Sequence, residues 1–179
     1  MTVVATTVWH MDVAAFVIAC FGFLVAALAL GWQVATWFMD GRRVTLRLLH
    51  GRQGHGGFVV GPIGKDGAPR DIEQLAREGA QGPEVVGVEV TNVGRLKVKV
   101  TGYGAEAAGT GWSFNPIGDA IGQSLPHWLE PGDAETWYVI GDDARRILEA
   151  PSKRRPRGVR MFANLGTGEK KSTNRVLRF

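Results

Sequence analysis

Residues 84–103 read EVVGVEVTNVGRLKVKVTGY, and the fold class turns on this stretch. From Glu84 to Thr91, Val86, Val88 and Val90 fall on one side of an extended chain, because a strand points successive side chains to opposite faces. From Arg95 to Tyr103, Leu96, Val98 and Val100 alternate with Lys97 and Lys99, the pattern of a strand half buried and half solvated. Asn92-Val93-Gly94 lies between the two runs, and a short Asn/Gly connection of this kind predicts a hairpin.

The same grammar extends in both directions. Upstream, residues 43–48 alternate, with Val44, Leu46 and Leu48 on one face, and residues 57–61 form a short apolar run between glycines. Downstream, residues 124–129 and 135–140 flank Glu130-Pro131-Gly132-Asp133. Pro followed by Gly suits the central positions of a type II turn, so a second hairpin is expected. Residues 158–165 and 170–179, joined through residues 166–169, make a last pair of strands. Two short helices interrupt the series. One spans residues 71–78, with Gly79 at its end; the other spans residues 142–150, with Asp142 as N-cap and Pro151 as its stop. Trp112, Trp128 and Trp137 are the bulky side chains available to fill the core. Short strands with Gly and Pro turns, and no regular strand–helix alternation, predict an antiparallel β-sandwich over residues 40–179.

Upstream of these strands the chain changes character. Residues 13–39 carry no charge, and twelve residues from Val13 to Phe38 are Leu, Ile, Phe or Val. As a helix this run is about 39 Å long, enough for a hydrocarbon core of about 30 Å, and it has no polar face to turn to water. A transmembrane helix over 13–39 is expected, after a short tail of residues 1–12. Trp9 on one side and Trp32 and Trp37 on the other stand at the expected headgroup levels. All 21 Lys and Arg of the chain follow residue 41, and Arg42, Arg43, Arg47 and Arg52 come directly after the run. The positive-inside rule then places the N-terminus outside and residues 40–179 in the cytoplasm. A cleaved signal peptide would explain Ala27-Leu28-Ala29, but the segment lacks a basic leader and its apolar run continues past that point. Ala15/Ala19, Gly22/Ala26 and Ala27/Gly31 are spaced for helix–helix packing, which leaves self-association of the anchor open.

Chemistry is harder to find. The single cysteine, Cys20, lies inside the apolar run, which excludes a disulfide framework and a Cys/His nucleophile in the remainder. Residues 61–66, GPIGKD, fail the phosphate-loop pattern, since Val59 stands where Gly is required and Asp66 where Ser or Thr should hold magnesium. His10, His50, His55 and His127 lack zinc-like spacing with other ligands. Asp142-Asp143 suits a helix start better than an acid/base pair. No catalytic residue, metal or cofactor is therefore expected. What remains is charge: Lys153, Arg154, Arg155 and Arg157, followed by Arg160, form a dense basic segment, and Arg42 and Arg43 head a second group beside the membrane. Nucleic acid is disfavoured as a partner, because Phe162 is the only aromatic near the first cluster in sequence.

The order of a single apolar helix, a basic strand, VEVTNVGRLKVKVTGYG and then LPHWLEPGDAETWYV resembles small, uncharacterised single-pass membrane proteins of bacteria and their phages. The two phrases are also similar to those of immunoglobulin-like modules, although the paired cysteines of antibody domains are absent. The resemblance covers most of residues 13–179. It implies a mainly β protein, with an N-terminal transmembrane helix followed by an antiparallel immunoglobulin-like β-sandwich carrying one or two short helices. It brings no catalytic residues with it. The function this suggests is a module held at the membrane for binding another protein, with an envelope or exclusion role in a phage setting. The alternative is a tether that grips anionic lipid or nucleic acid through the basic loop.

Overall fold

The computed structural model describes the backbone of residues 3–39 and 43–179, and the side chains of residues 13–36 and 43–179. The chain divides into two compact units, Met1–Gly41 and Arg42–Phe179.

The first unit is one helix, α1 (Val3–Met39). Within it Val13–Thr36 is long and apolar enough to cross a membrane, and none of that segment is buried inside the protein. The helix starts ten residues before the apolar run, so the sequence expected as a tail continues it from Val3. Thr36 donates its hydroxyl hydrogen to the Gln33 carbonyl at 2.9 Å, so the last hydroxyl of the span has a partner within its own turn. Trp32 is exposed on the helix surface. The side chains of Trp9 and Trp37, and Arg42 altogether, lie outside the described residues.

The second unit is mainly β. Its elements are β1 (Val44–Gly54), β2 (Gly57–Pro62), α2 (Ile72–Arg77), β3 (Glu84–Asn92), β4 (Val98–Ala107), β5 (Ser113–Phe114), β6 (Ile121–Gly122), β7 (His127–Leu129), β8 (Ala134–Ile140), α3 (Gly141–Glu149), β9 (Val159–Leu165) and β10 (Lys170–Ser172). They form two antiparallel sheets. One runs β2-β1-β3-β8-β6; the other runs β10-β9-β4-β5, with β7 also paired to β4. Leu48, Val86, Val88, Val90, Trp137 and Val139 of the first sheet share a single core with Val98, Val100, Tyr103, Ala105, Met161 and Ala163 of the second. The helices are short. Asp71 caps α2 by accepting the Gln74 N–H at 3.0 Å, as its position predicts. The second helix begins at Gly141 with Ile140 as N-cap, and Asp142 instead pairs with Arg145 at 3.1 Å.

Both central hairpin expectations fail. β3 pairs with β1 along Val44↔Asn92 to Arg52↔Glu84, and with β8 along Thr91↔Ala134 to Val85↔Ile140. Each edge of β3 is therefore occupied, and β4 crosses to the other sheet. The cause lies in the strand itself. Val85 and Gly87 on its outer face are as buried as Val86 and Val88 on its inner face, and a strand covered on both faces belongs in the middle of a sheet. Gly87 is also a fit requirement, since a Cβ there would lie 2.8 Å from the Tyr138 ring. The second expected pair divides in the same way, with β7 on β4 and β8 on β3. The turn between them forms as predicted, with Asp133 N–H donating to the Glu130 carbonyl at 3.1 Å and Gly132 at φ +90°. It joins two sheets rather than two neighbours. Of the three expected pairs only the last closes locally, β9 to β10, and it is shorter than expected, with a single further bridge at Val159↔Leu177.

Asn92 holds the two crossovers together. Its backbone N–H donates to the Asp133 carbonyl at 2.9 Å, and its carbonyl accepts from Gly132 N–H at 2.8 Å. Its side-chain amide donates to the carbonyls of Leu96 at 2.9 Å and Leu129 at 3.0 Å, while Oδ1 accepts from Gly94 N–H at 3.0 Å. The residue is fully buried, and each of its polar groups is paired.

Candidate functional site

The basic cluster predicted from sequence sits where α3 ends. Ala150 turns to an extended conformation before Pro151, and residues 151–158 then run without regular structure. This segment is pinned at both ends. Trp112 donates its indole N–H to the Pro151 carbonyl at 3.0 Å; Arg157 N–H reaches the Ala108 carbonyl at 3.1 Å, and Ala108 N–H the Gly158 carbonyl at 2.9 Å. Between the pins Lys153, Arg154, Arg155 and Arg157 are exposed. None of the four forms an ion pair among the described residues.

Trp112 is the feature that sequence reasoning misplaced. It was expected in the core, but it is 48% exposed. The Gly109–Trp112 turn, fixed by the Thr110 hydroxyl on the Ala107 carbonyl at 2.9 Å, lays it beside the basic segment. Gly109, Trp112, Pro151, Lys153 and Arg154 line one shallow depression. The available signal was a tryptophan directly after Gly-Thr-Gly, a position on a turn rather than within an alternating run. Trp128 also leaves the core, at 49% exposed, and of the three only Trp137 is fully buried.

Arg160 does not join the cluster. It lies on β9 and pairs with Glu106 at 3.1 Å, and Lys170 reaches the same carboxylate at 2.8 Å. Burial pushes the Glu106 carboxyl up, but hydrogen bonds from Lys170 and Ser172 and the charges of Lys170 and Arg160 bring it below its ordinary value. Phe162, the aromatic expected near the cations, is buried beneath the Lys170 ammonium, 3.8 Å from its ring centre. Arg43 is exposed at the start of β1, and its carbonyl accepts from Val93 N–H at 2.9 Å and Gly94 N–H at 3.0 Å.

A second polar group is structural in its chemistry. His50 is fully buried on β1. Its Nδ1 accepts from Arg70 N–H at 2.9 Å, which places the ring proton on Nε2, 2.7 Å from the Glu84 carboxylate. Arg145 donates to the other Glu84 oxygen and lies over the Phe179 ring, 4.5 Å from its centre. Burial would raise the Glu84 carboxyl, but hydrogen bonds from His50 and Arg145 and the Arg145 charge lower it below its ordinary value. Both ring nitrogens of His50 are used within the protein. No cluster of three or more metal-ligating side chains occurs among the described residues. An open groove of about 490 Å³ beside β4, lined by Thr101, Asn115, Asp119, Ser124 and Asn164 among others, contains a single carboxylate.

The sequence-predicted cations with unused chemistry are therefore those of the 151–157 segment, beside Trp112. Four cations with no ion-pair partner among the described residues attract a negatively charged surface, and a half-exposed indole adds apolar contact beside them. No family model, curated protein or solved structure matches the chain.

Proposed function

We propose that this is a single-pass membrane protein that holds an immunoglobulin-like β-sandwich in the cytoplasm as a binding module for an acidic protein surface. The apolar length of α1 supports the anchor, and the absence of cations before residue 42 supports an outside N-terminus. The observation that carries the binding role is that Trp112 lines one depression with Lys153 and Arg154, on a pinned segment that also exposes Arg155 and Arg157. Interface centres are enriched in Trp and Arg, whereas Arg145 and Arg160 elsewhere in the domain already have carboxylate partners. The resemblance to small membrane proteins of bacteria and phages suggests an envelope or exclusion role for such a module.

The test is a photocrosslinking residue placed at Arg155 in the full chain, expressed in cells. A discrete protein adduct is expected, and it should disappear when Lys153, Arg154 and Arg157 are changed to Ser. Adducts spread evenly over abundant proteins would reject the reading. An adduct removed by nuclease, or one formed only with lipid, would replace it with the tether reading.

A further inference from the structure

We infer that the opposite end of the β domain, formed by Val93, Leu96, Lys97, Lys99 and Trp128, is a docking surface for the headgroup layer of an anionic membrane. The inference rests on the membrane-spanning reading of α1. Three observations support it.

The first is position. Val93 and Gly94 donate to the Arg43 carbonyl, so the 93–97 loop lies where the chain enters the domain. Arg43 is four residues beyond Met39, the end of α1, in the sequence. The basic 151–157 segment is tied to Ala108, past the far end of β4, whose ten residues span about 30 Å.

The second is exposure. Val93 is 55% exposed and Leu96 49%, although Leu96 was expected on the buried face of a strand. Asn92 accounts for the change: its side-chain N–H donates to the Leu96 carbonyl and holds the loop in a turn before β4 begins at Val98. Two large apolar side chains are left exposed at this end of the domain.

The third is composition. Trp128 is half exposed on β7, and the ammonium groups of Lys97 and Lys99 stand 5.2 Å and 5.6 Å from its ring centre. An indole with flanking lysines suits the depth where acyl chains give way to phosphates. The ring enters the apolar side, and the long lysine stems carry charge back to the headgroups. Glu130 and Asp133 occupy the adjoining turn, where Asp133 Oδ2 accepts the Glu130 N–H at 3.0 Å. Their presence makes the lysines, rather than the whole end, the electrostatic contact.

The experiment uses the full chain with Cys20→Ser, reconstituted in phosphatidylcholine–phosphatidylglycerol vesicles. Single cysteines at Leu24, Val93, Leu96 or Arg155 carry a nitrobenzoxadiazole label, and nitroxide lipids serve as quenchers. Labels at residues 93 and 96 should be quenched several-fold more by headgroup nitroxide than the label at residue 155. Lys97→Gln and Lys99→Gln should each lower the docking equilibrium about fivefold, the equivalent of about 1 kcal/mol per juxtamembrane cation. Quenching at residue 24 without quenching at 93 or 96 would overturn the docking surface and leave the anchor standing. Loss of quenching at residue 24 would overturn both. Equal quenching at residues 96 and 155 would also overturn it, because the domain would then contact lipid along its side. Using two label positions guards against one substitution disturbing the loop.

Discussion

The corner at Asn92 and the segment at residues 151–157 are both polar, and they differ in where their partners are. At Asn92 each donor and acceptor is paired within the chain, across the two turns that carry the strands from one sheet to the other. At 151–157 the backbone is pinned but the four cations have no ion-pair partner among the described residues. Polar groups satisfied internally determine topology, whereas groups left over are available to something outside the chain. Altering the first region should therefore cost stability, and altering the second should cost binding.

The largest effect expected from breaking the structural side is Trp137→Ala. The indole is fully buried between the sheets and donates to the Gln123 carbonyl at 2.8 Å. Its loss should destabilise the domain by about 3–5 kcal/mol, read as the denaturant midpoint of the full chain in detergent. Asn92→Ala comes next. It strips the carbonyls of Leu96 and Leu129 of their donor without removing much apolar area, and should cost about 2–4 kcal/mol in the same measurement. A loss below 1 kcal/mol there would undo the claim that this residue fixes the crossovers.

Acid provides a third test. The Glu84 and Glu106 carboxyls are both lowered in the folded protein. Their contribution to stability is complete above the ordinary glutamate value of 4.5 and is lost as the pH falls through the lower folded values. Glu84→Gln should lower stability at neutral pH and flatten the decline below about pH 4.5. An acid limb identical to that of the unchanged protein would show that the His50–Glu84–Arg145 group contributes nothing. A smaller effect is expected at Asp142. Because Ile140 is the N-cap, Asp142→Ala should cost only about 0.3–0.5 kcal/mol, the scale of a surface helix pair, rather than the ~1 kcal/mol of a lost cap. The smallest effect on stability belongs to the combined Ser substitutions of Lys153, Arg154, Arg155 and Arg157, expected within about 0.5 kcal/mol. If these substitutions unfold the domain, the contrast between the two regions is lost.

Much of the local structure was legible in the residues. The alternation at 98–100 and the valines of 86–90 correspond to β4 and β3, Asp71 caps its helix, and Pro131-Gly132 makes its turn. The errors in strand pairing have one origin. A short Asn/Gly link joins two neighbouring strands when both have a free edge, but β3 has none, because β1 and β8 occupy its sides. Val85 beside Val86 was the local sign of a strand covered on both faces. Trp112 and Trp128 were placed inside on size alone, although each follows or borders a turn and is half solvated. The His50–Glu84 contact joins residues 34 positions apart, beyond any motif spacing.

By itself, the sequence determined the apolar helix, the strand-rich remainder, the breaks between strands and the abundance of cations. Each of these follows from a residue and its near neighbours, through side-chain periodicity, backbone restriction at Gly and Pro, and the cost of burying charge. Tertiary structure alone decided which strands pair, which tryptophan is buried, which arginines are neutralised and which end of the domain carries Trp128. Those outcomes are settled by competition among all edges and faces for partners and for shelter from water, and no short stretch of residues contains the other competitors.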